Sequence, residues 1–392
     1  MKRFFKVFFI SLILINCLFS SKNLSAQSIN RLPQELQSLV SNLVKKDKSV
    51  YNCVLSVKSV DDSFSWSGAA GIANHTDNIP MIKDTPFFIA SITKLFTATV
   101  IMRLYEQDLI SLNDPMSRYL SDSIIHDIHV YKGIDYSHEI TIKQLLAHTS
   151  GIADYYSEKP KKGKSLFEIF LENPERSWTI EDTIDRARND LTPNFQPGTN
   201  VSYSDTNFQL LGKIIENITN ESLHKVYEEY IFKPLNLQHT WLINYSEPMI
   251  NSILPIADLY DDANIISKIR YNGSYWADGG IISTAEDCII FLKALNEGKL
   301  ISQNTLNMMH DWHKLDFPLQ YGFGTMYFQL PDFMNSLAQI PPLWGHSGST
   351  GSFLYYSADL NLYMSGTINQ TDSNVKPFFV MRKVVQLFLA NI

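Results

Sequence analysis

Pro86-Phe87-Phe88-Ile89-Ala90-Ser91-Ile92-Thr93-Lys94 is the stretch on which the reading of this 392-residue chain turns. A serine and a lysine three apart on a helix stand on one face, about one turn from each other. An amine is then within reach of a hydroxyl, which is one way to make serine a nucleophile. Two other S-x-x-K matches occur, Ser222 to Lys225 and Ser373 to Lys376. The first stands apart because an apolar run leads into it and a helical pattern leaves it. At a helix N-terminus the Ser91 backbone N–H points outward and can stabilise an oxyanion. If Lys94 faces an apolar wall, its charged form is disfavoured and it could accept a proton from Ser91.

The flanking pattern gives the architecture. Leu36, Leu39, Val40 and Leu43 fall at helical spacing within 32–46, and strands are expected over 52–60 and 63–72 with a turn at Asp61-Asp62. The helix that carries Lys94 is expected to run to about Gln107, with Leu95, Phe96, Val100, Ile101 and Leu104 as its buried stripe. Residues 111–270 read as mainly helical, with candidates at 140–148, 166–171, 180–187, 206–218 and 222–232. Ser283-Thr284-Ala285-Glu286 reads as a capping box ahead of the apolar run 288–295. Strands are expected over 321–329, 343–346, 351–357 and 362–369, and a closing helix over 377–389. Helix, strands, helical block, strands and helix imply an α+β fold: an antiparallel sheet flanked by helices, with a mainly helical inserted subdomain. The sheet subdomain takes about 30–110 and 271–392, and the insertion about 111–270.

Residues 1–26 differ from the rest. Lys2, Arg3 and Lys6 precede an apolar run, and Leu24-Ser25-Ala26 ends the segment in small residues. This reads as a secretory signal peptide with Gln27 as first mature residue, which leaves 27–392 as the mature domain, exported to the periplasm or the exterior. Asn16 is a poor neighbour for lipid attachment at Cys17. Removal of four cations takes the formal charge from −7 to −11. Such a chain has no basic footprint for nucleic acid and no reason to cling to an anionic surface. Cys53 and Cys288 read as buried free thiols, one in a strand and one in a helix, since two cysteines make no disulfide framework. The pairs His126/His129 and His310/His313 lack an accompanying ligand pattern and read as polar surface histidines, with no metal and no cofactor implied. His148 reads as holding its own loop.

Two further segments could join Ser91. Tyr203, in Pro197-Gly198-Thr199-Asn200-Val201-Ser202-Tyr203-Ser204-Asp205, lies at a turn-to-helix junction and could reach a cleft. A phenol beside an ammonium group favours its phenolate, so Tyr203 could be a base or relay. In Trp344-Gly345-His346-Ser347-Gly348-Ser349-Thr350-Gly351 the glycines allow close approach of backbone or ligand. His346 could donate to a substrate carboxylate or to a hydroxyl in the site, and the Ser349 N–H could complete an oxyanion hole.

Taken in order, these three segments resemble the serine β-lactamase and penicillin-binding family, nearest the branch of class C β-lactamases, D-stereospecific carboxypeptidases and aminopeptidases, and esterases. The likeness runs from about residue 30 to the C-terminus. Leu145 to Ile152, Gly279 to Asp287, Tyr321-Gly322-Phe323-Gly324 and Asn369 support it. The resemblance implies Ser91 as acylated nucleophile, Lys94 as neighbouring base or proton shuttle, Tyr203 as the Tyr-x-Asn tyrosine and His346 as the first residue of the Lys/His-x-Gly motif. It also implies an oxyanion hole from the N–H groups of Ser91 and Ser349, with Asp205 and Gly348 lining the substrate site. Two departures stand out. Asp205 replaces the usual asparagine, and a carboxylate can only accept, so it suits a substrate offering an N–H or amine. His346 replaces the lysine typical of class C β-lactamases. Both favour a peptidase or esterase acting on D-amino-acid peptides or small esters over a β-lactamase, and the intact Ser91, Lys94 and Tyr203 set argues against a non-catalytic penicillin-binding or sensing module.

Overall fold

A computed structural model describes residues 31–391, apart from 161, 251–253, 316–317, 331–339 and 373–374. The expected signal segment and the remote Ser373 lie outside the described residues.

Helix α1 spans Leu32–Lys46, and its start is eased by a proline in the first turn. The chain then enters β1 (Asn52–Ser59), β2 (Ser65–Asn74) and the short β3 (Ile79–Pro80). Helix α2 (Thr93–Glu106) carries Lys94. The sheet resumes 200 residues later with β4 (His313–Lys314), β5 (Leu319–Tyr321), β6 (Met326–Phe328), β7 (Leu343–Ser347), β8 (Ser352–Ser357) and β9 (Leu362–Thr367). These nine strands form one sheet in the order β4-β5-β6-β7-β8-β9-β1-β2-β3, with every neighbouring pair antiparallel. β1 joins the two ends of the chain, with Val54 opposite Thr367 on one side and Ala69 on the other.

The period of two decides the faces. Cys53, Leu55 and Val57 pack with α1 and with the closing helix, Lys376–Asn391. Val54 points to the opposite face, where α2 and the helix Ala285–Asn296 lie. Between residues 111 and 270 the elements are helices, among them Ile180–Asn189 and α3 (Asp205–Thr219), together with two-residue strands. A second, three-stranded sheet pairs Phe87–Phe88 with Ile281–Ser283 and Ile281–Ser283 with Trp241–Leu242, anchoring the run that precedes Ser91.

Several expectations need correction. α2 is buried on nearly all sides rather than along one stripe, because it passes between the sheet and the helices of the 111–270 block. The strand expected over 321–329 breaks into β5 and β6. Gly324, at φ +68°, lies so close to α2 that a Cβ there would sit 2.4 Å from the Ala98 Cβ. The helix Ala285–Asn296 is capped by the Thr284 hydroxyl, which accepts from the Asp287 N–H (3.2 Å), so the Ser283/Glu286 pairing does not form. The helix expected over 222–232 is α-helical only over Leu223–Tyr227, then widens to a π turn. His129 and most of His310 are buried rather than on the polar surface. No cluster of potential metal ligands occurs among the described residues. Cys53 and Cys288 are free and buried, in β1 and in the helix after Thr284.

Candidate active site

The Ser91 segment is fixed from three directions. The Ile89 N–H donates to the Ile281 carbonyl (3.2 Å), the Ser352 hydroxyl donates to the Ile89 carbonyl (2.8 Å) and the Thr350 hydroxyl donates to the Phe88 carbonyl (2.7 Å). Ala90 turns the chain at φ +48°, a left-handed conformation that a β-carbon disfavours. Ser91 lies in the 3-10 turn Ala90–Ile92, two residues before the start of α2, rather than opening the α-helix itself. Its residue is half-buried, whereas Lys94 is fully buried.

Lys94 has a full set of acceptors. Its Nζ donates to Ser91 Oγ (3.2 Å), to the Asp278 carbonyl (2.7 Å) and to Asp205 Oδ1 in a close ion pair. Asp205 is the first residue of α3, where the helix dipole favours a carboxylate. Its own N–H donates to Asp154 Oδ1 (3.0 Å). Burial opposes the Lys94 charge, but Asp205, Asp278 and Tyr321 outweigh it, and the proton affinity of the amine rises above that of an ordinary lysine. The apolar wall expected around Lys94 is therefore replaced by carboxylates, and Lys94 is an ammonium ion. Asp205 likewise does not face a substrate amine with both oxygens, since one of them holds Lys94.

Tyr203 lies beside this pair, with Lys94 Nζ 5.0 Å from its ring centroid. Its hydroxyl is buried and makes no close hydrogen bond among the described residues, with the Ser91 side chain as a polar neighbour. Burial and Asp205 raise its proton affinity well above that of a free phenol, and the opposing influence of nearby Ser91 is smaller. The phenolate expected beside an ammonium is thus not the resting form. Behind it the His148 ring lies 4.3 Å from Tyr203 and 4.4 Å from Tyr321, centroid to centroid. His148 Nδ1 accepts from the Ser204 N–H and lies 3.2 Å from the Asn207 side-chain amide. His148 holds its loop, as expected, and also backs the candidate tyrosine. Burial first, then Lys94 and His346, hold it well below ordinary histidine basicity.

His346 is placed at this cluster by β7, but both ring nitrogens are used inside the protein. Nδ1 meets the Ser347 carbonyl at 2.8 Å and Nε2 meets the Tyr321 hydroxyl at 3.1 Å. Burial and the Lys94 charge push its pKa down to about 3. Both ring nitrogens are thus engaged within the protein, Nε2 by a hydroxyl of the site rather than free for a substrate carboxylate. Gly348 matters through its missing side chain. A Cβ there would lie 2.1 Å from Ser352 Oγ and 2.4 Å from the Ile89 carbonyl, so only glycine lets the β7–β8 turn close on the Ser91 segment. Ser349 lies exposed at the tip of that turn, not on a strand. The turn is closed by the Gly351 N–H on the Gly348 carbonyl (3.1 Å). Among the described residues neither the Ser91 nor the Ser349 backbone N–H has a hydrogen-bond acceptor.

Sequence reasoning missed two acids. Asp278 takes the Tyr155 hydroxyl on Oδ2 (2.6 Å) and the Trp276 N–H on Oδ1 (3.0 Å), and burial with Asp205 pushes its pKa up to about 6. Asp154 is pushed up to about 7 by burial and by Asp205. Asp278 did have a signal, since it immediately precedes the Gly279-Gly280 pair; Asp154 had none beyond following the Leu145–Ile152 segment.

Comparison with known proteins identifies the family and the fold. Residues 45–383 match the Beta-lactamase family model. A teichoic acid D-alanine hydrolase of Staphylococcus aureus is 27% identical over 250 residues, which cover 62% of this chain and 55% of that protein. The match thus spans about half the length of that curated relative. The structure of a D-stereospecific amidohydrolase from a Streptomyces species superposes with a TM-score of 0.68 at 27% identity, covering 90% of this chain and 97% of that one. The D-amino acid amidase of Ochrobactrum anthropi SV3, complexed with L-phenylalanine amide, shares the fold at a TM-score of 0.74 and 21% identity, covering 92% and 99%.

Proposed function

Because the chain belongs to the Beta-lactamase family of serine hydrolases, we propose that it cleaves D-aminoacyl amides, peptides or esters through an acyl-enzyme on Ser91, after export from the cell. The observation that carries this reading is the Ser91 Oγ held 3.2 Å from Lys94 Nζ, with the Tyr203 hydroxyl buried beside it. Ser91 attacks the carbonyl carbon. The outward N–H groups of Ser91 and Ser349 receive the oxyanion, the amine or alcohol leaves, and water releases the D-amino acid. The names of the related proteins, a D-alanine hydrolase and a D-stereospecific amidohydrolase, support a D-aminoacyl substrate. Neutral His346 supplies no cation for a substrate carboxylate, which favours amide and ester leaving groups over a β-lactam or a C-terminal D-alanine. Export rests on the sequence of residues 1–26; no helix of the described residues is long and apolar enough to cross a membrane.

The test is labelling by a fluorophosphonate, followed by turnover of D-alanyl esters, D-amino acid amides, D-Ala-D-Ala peptides and nitrocefin. Ser91→Ala is expected to abolish labelling and turnover. Equal labelling of both proteins would remove Ser91 from the mechanism, and nitrocefin as the best substrate would remove the D-aminoacyl assignment.

A further inference from the structure

Lys94, His346 and His148 are already partnered, and Tyr203 is protonated at rest. Lys94 is a donor on all three of its N–H bonds, to Ser91 Oγ, the Asp278 carbonyl and Asp205 Oδ1. An ammonium group has no lone pair to offer. Tyr203 keeps its proton, with its hydroxyl buried among acids. The Nε2 of His346 is taken by the Tyr321 hydroxyl. The Nδ1 of His148 is taken by the Ser204 N–H. One basic position remains in the line that starts at Ser91. Asp205 holds Lys94 through Oδ1, while its Oδ2 accepts no hydrogen bond from the described residues.

We propose that Asp205 acts through Lys94 as the store for the proton that Ser91 gives up. Lys94 passes one proton to Asp205, which turns the ion pair into a neutral amine and a carboxylic acid. The freed lone pair of Lys94 takes the Ser91 hydroxyl proton as Oγ bonds to the substrate carbonyl carbon. The carbonyl π bond breaks and its electrons go to the oxyanion. Lys94, again an ammonium ion, protonates the leaving nitrogen or oxygen as its bond to carbon breaks. Asp205 then returns its proton to Lys94. The sum is proton transfer from serine to leaving group, with no net gain or loss at the pair. This inference rests on the acyl-enzyme reading above and adds to it a role that an asparagine at this position cannot fill, since an amide does not take up the proton.

Asp205 faces Lys94, Asp154, Asp278, Tyr155 and Tyr203, and Lys94 also faces Tyr321, His148 and His346. The acids with raised pKa, Asp154 at about 7 and Asp278 at about 6, are ionised in mildly alkaline solution. The experiment therefore follows Ser91 acylation by a D-alanyl p-nitrophenyl ester between about pH 8.5 and 10, where those two acids are ionised and the ester's own amine is largely neutral. Wild type is expected to give a flat profile, because the pair carries its own acceptor. Asp205→Asn leaves a variant that depends on the deprotonated fraction of Lys94, so its rate rises about tenfold per pH unit. The loss falls on kcat, and Asp205→Glu restores the flat profile. Asparagine is usual at this position in the resembling family, so the variant is expected to fold, which a melting curve checks. A profile for Asp205→Asn parallel to wild type, or a loss confined to KM, would overturn the role of Asp205 while leaving the acyl-enzyme intact. Labelling of Ser91→Ala in the same assay would bring down both readings.

Discussion

Replacement of Gly348 by alanine tests how the active-site serine is held. The added Cβ would lie 2.1 Å from Ser352 Oγ, 2.4 Å from the Ile89 carbonyl oxygen and 3.1 Å from the Ala90 Cβ. Non-bonded carbon contacts settle near ~3.5 Å, so the β7–β8 turn must retreat by on the order of 1 Å. The Ser352 hydroxyl can rotate, but the Ile89 carbonyl is backbone, so rotation alone does not relieve the clash. Retreat breaks the 2.8 Å bond from Ser352 to Ile89 and strains that from Thr350 to Phe88. Overpacking of this kind costs about 1–3 kcal/mol, and each lost hydrogen bond adds about 1 kcal/mol, giving a loss near 3 kcal/mol. With roughly 2.1 cal/mol/K of unfolding entropy per residue, a 392-residue chain loses Tm by about 4 °C. Activity falls further than stability, because the same displacement moves Ser349 away from Ser91; a misplacement of ~1 Å is associated with about 100-fold in rate. Calorimetry and fluorophosphonate labelling of folded protein measure the two effects separately. Wild-type labelling by a variant whose Tm has dropped would refute the claim that the turn positions Ser91.

Three other outcomes follow from the same geometry. Tyr321→Phe strands the buried Nε2 of His346 without its 3.1 Å partner, and denaturant unfolding is expected to show a loss of about 1–3 kcal/mol; an unchanged midpoint would mean that the ring finds another donor. Folded Asp154 keeps its proton up to about pH 7 against an ordinary value of 3.8, so the native state holds the extra proton and stability drains as pH rises between those values; His346, neutral down to about pH 3 against 6.5, acts in the opposite sense as pH falls. Tm measured at pH 5 and pH 8 is therefore expected to shift in favour of Asp154→Asn at the higher pH, and parallel curves for variant and wild type would refute the assignment. Cys53 and Cys288, buried and pushed up to about 12, are expected to ignore a thiol reagent at pH 8 until denaturant exposes them; rapid labelling of the native protein would contradict their burial.

The sequence was most legible where local pattern and local structure coincide. α1 begins and ends where its helical spacing does, and β1 starts at Asn52, since an amphipathic helix lies directly on one face of a strand buried on both. Legibility failed wherever a partner distant in sequence decides the outcome. The S-x-x-K spacing places Ser91 by Lys94, but nothing near Lys94 foretells that Asp205, 111 residues on, neutralises it. An expected drop in lysine basicity thus becomes a rise. His346 was read as a donor to substrate because its strand position is visible in the sequence, whereas the Tyr321 hydroxyl that occupies it arrives from a neighbouring stretch of the sheet. The run 321–329 looks like one strand because its β-propensity is continuous; the break at Gly322–Thr325 comes from the approach of α2, a contact the pattern does not encode.

The position of β1 has a consequence for how the molecule comes into being. β1 pairs with β9 along six residues, Val54–Ser59 against Leu362–Thr367, and the Asn369 amide reaches across 317 residues to Asn52. While the chain is still emerging, one edge of its first hairpin has no strand to meet, and it acquires one only when β9 arrives, about 300 residues later. Pairings at such sequence separation form late and slowly. Synthesis therefore delivers a chain that cannot complete its sheet until β9 has been made.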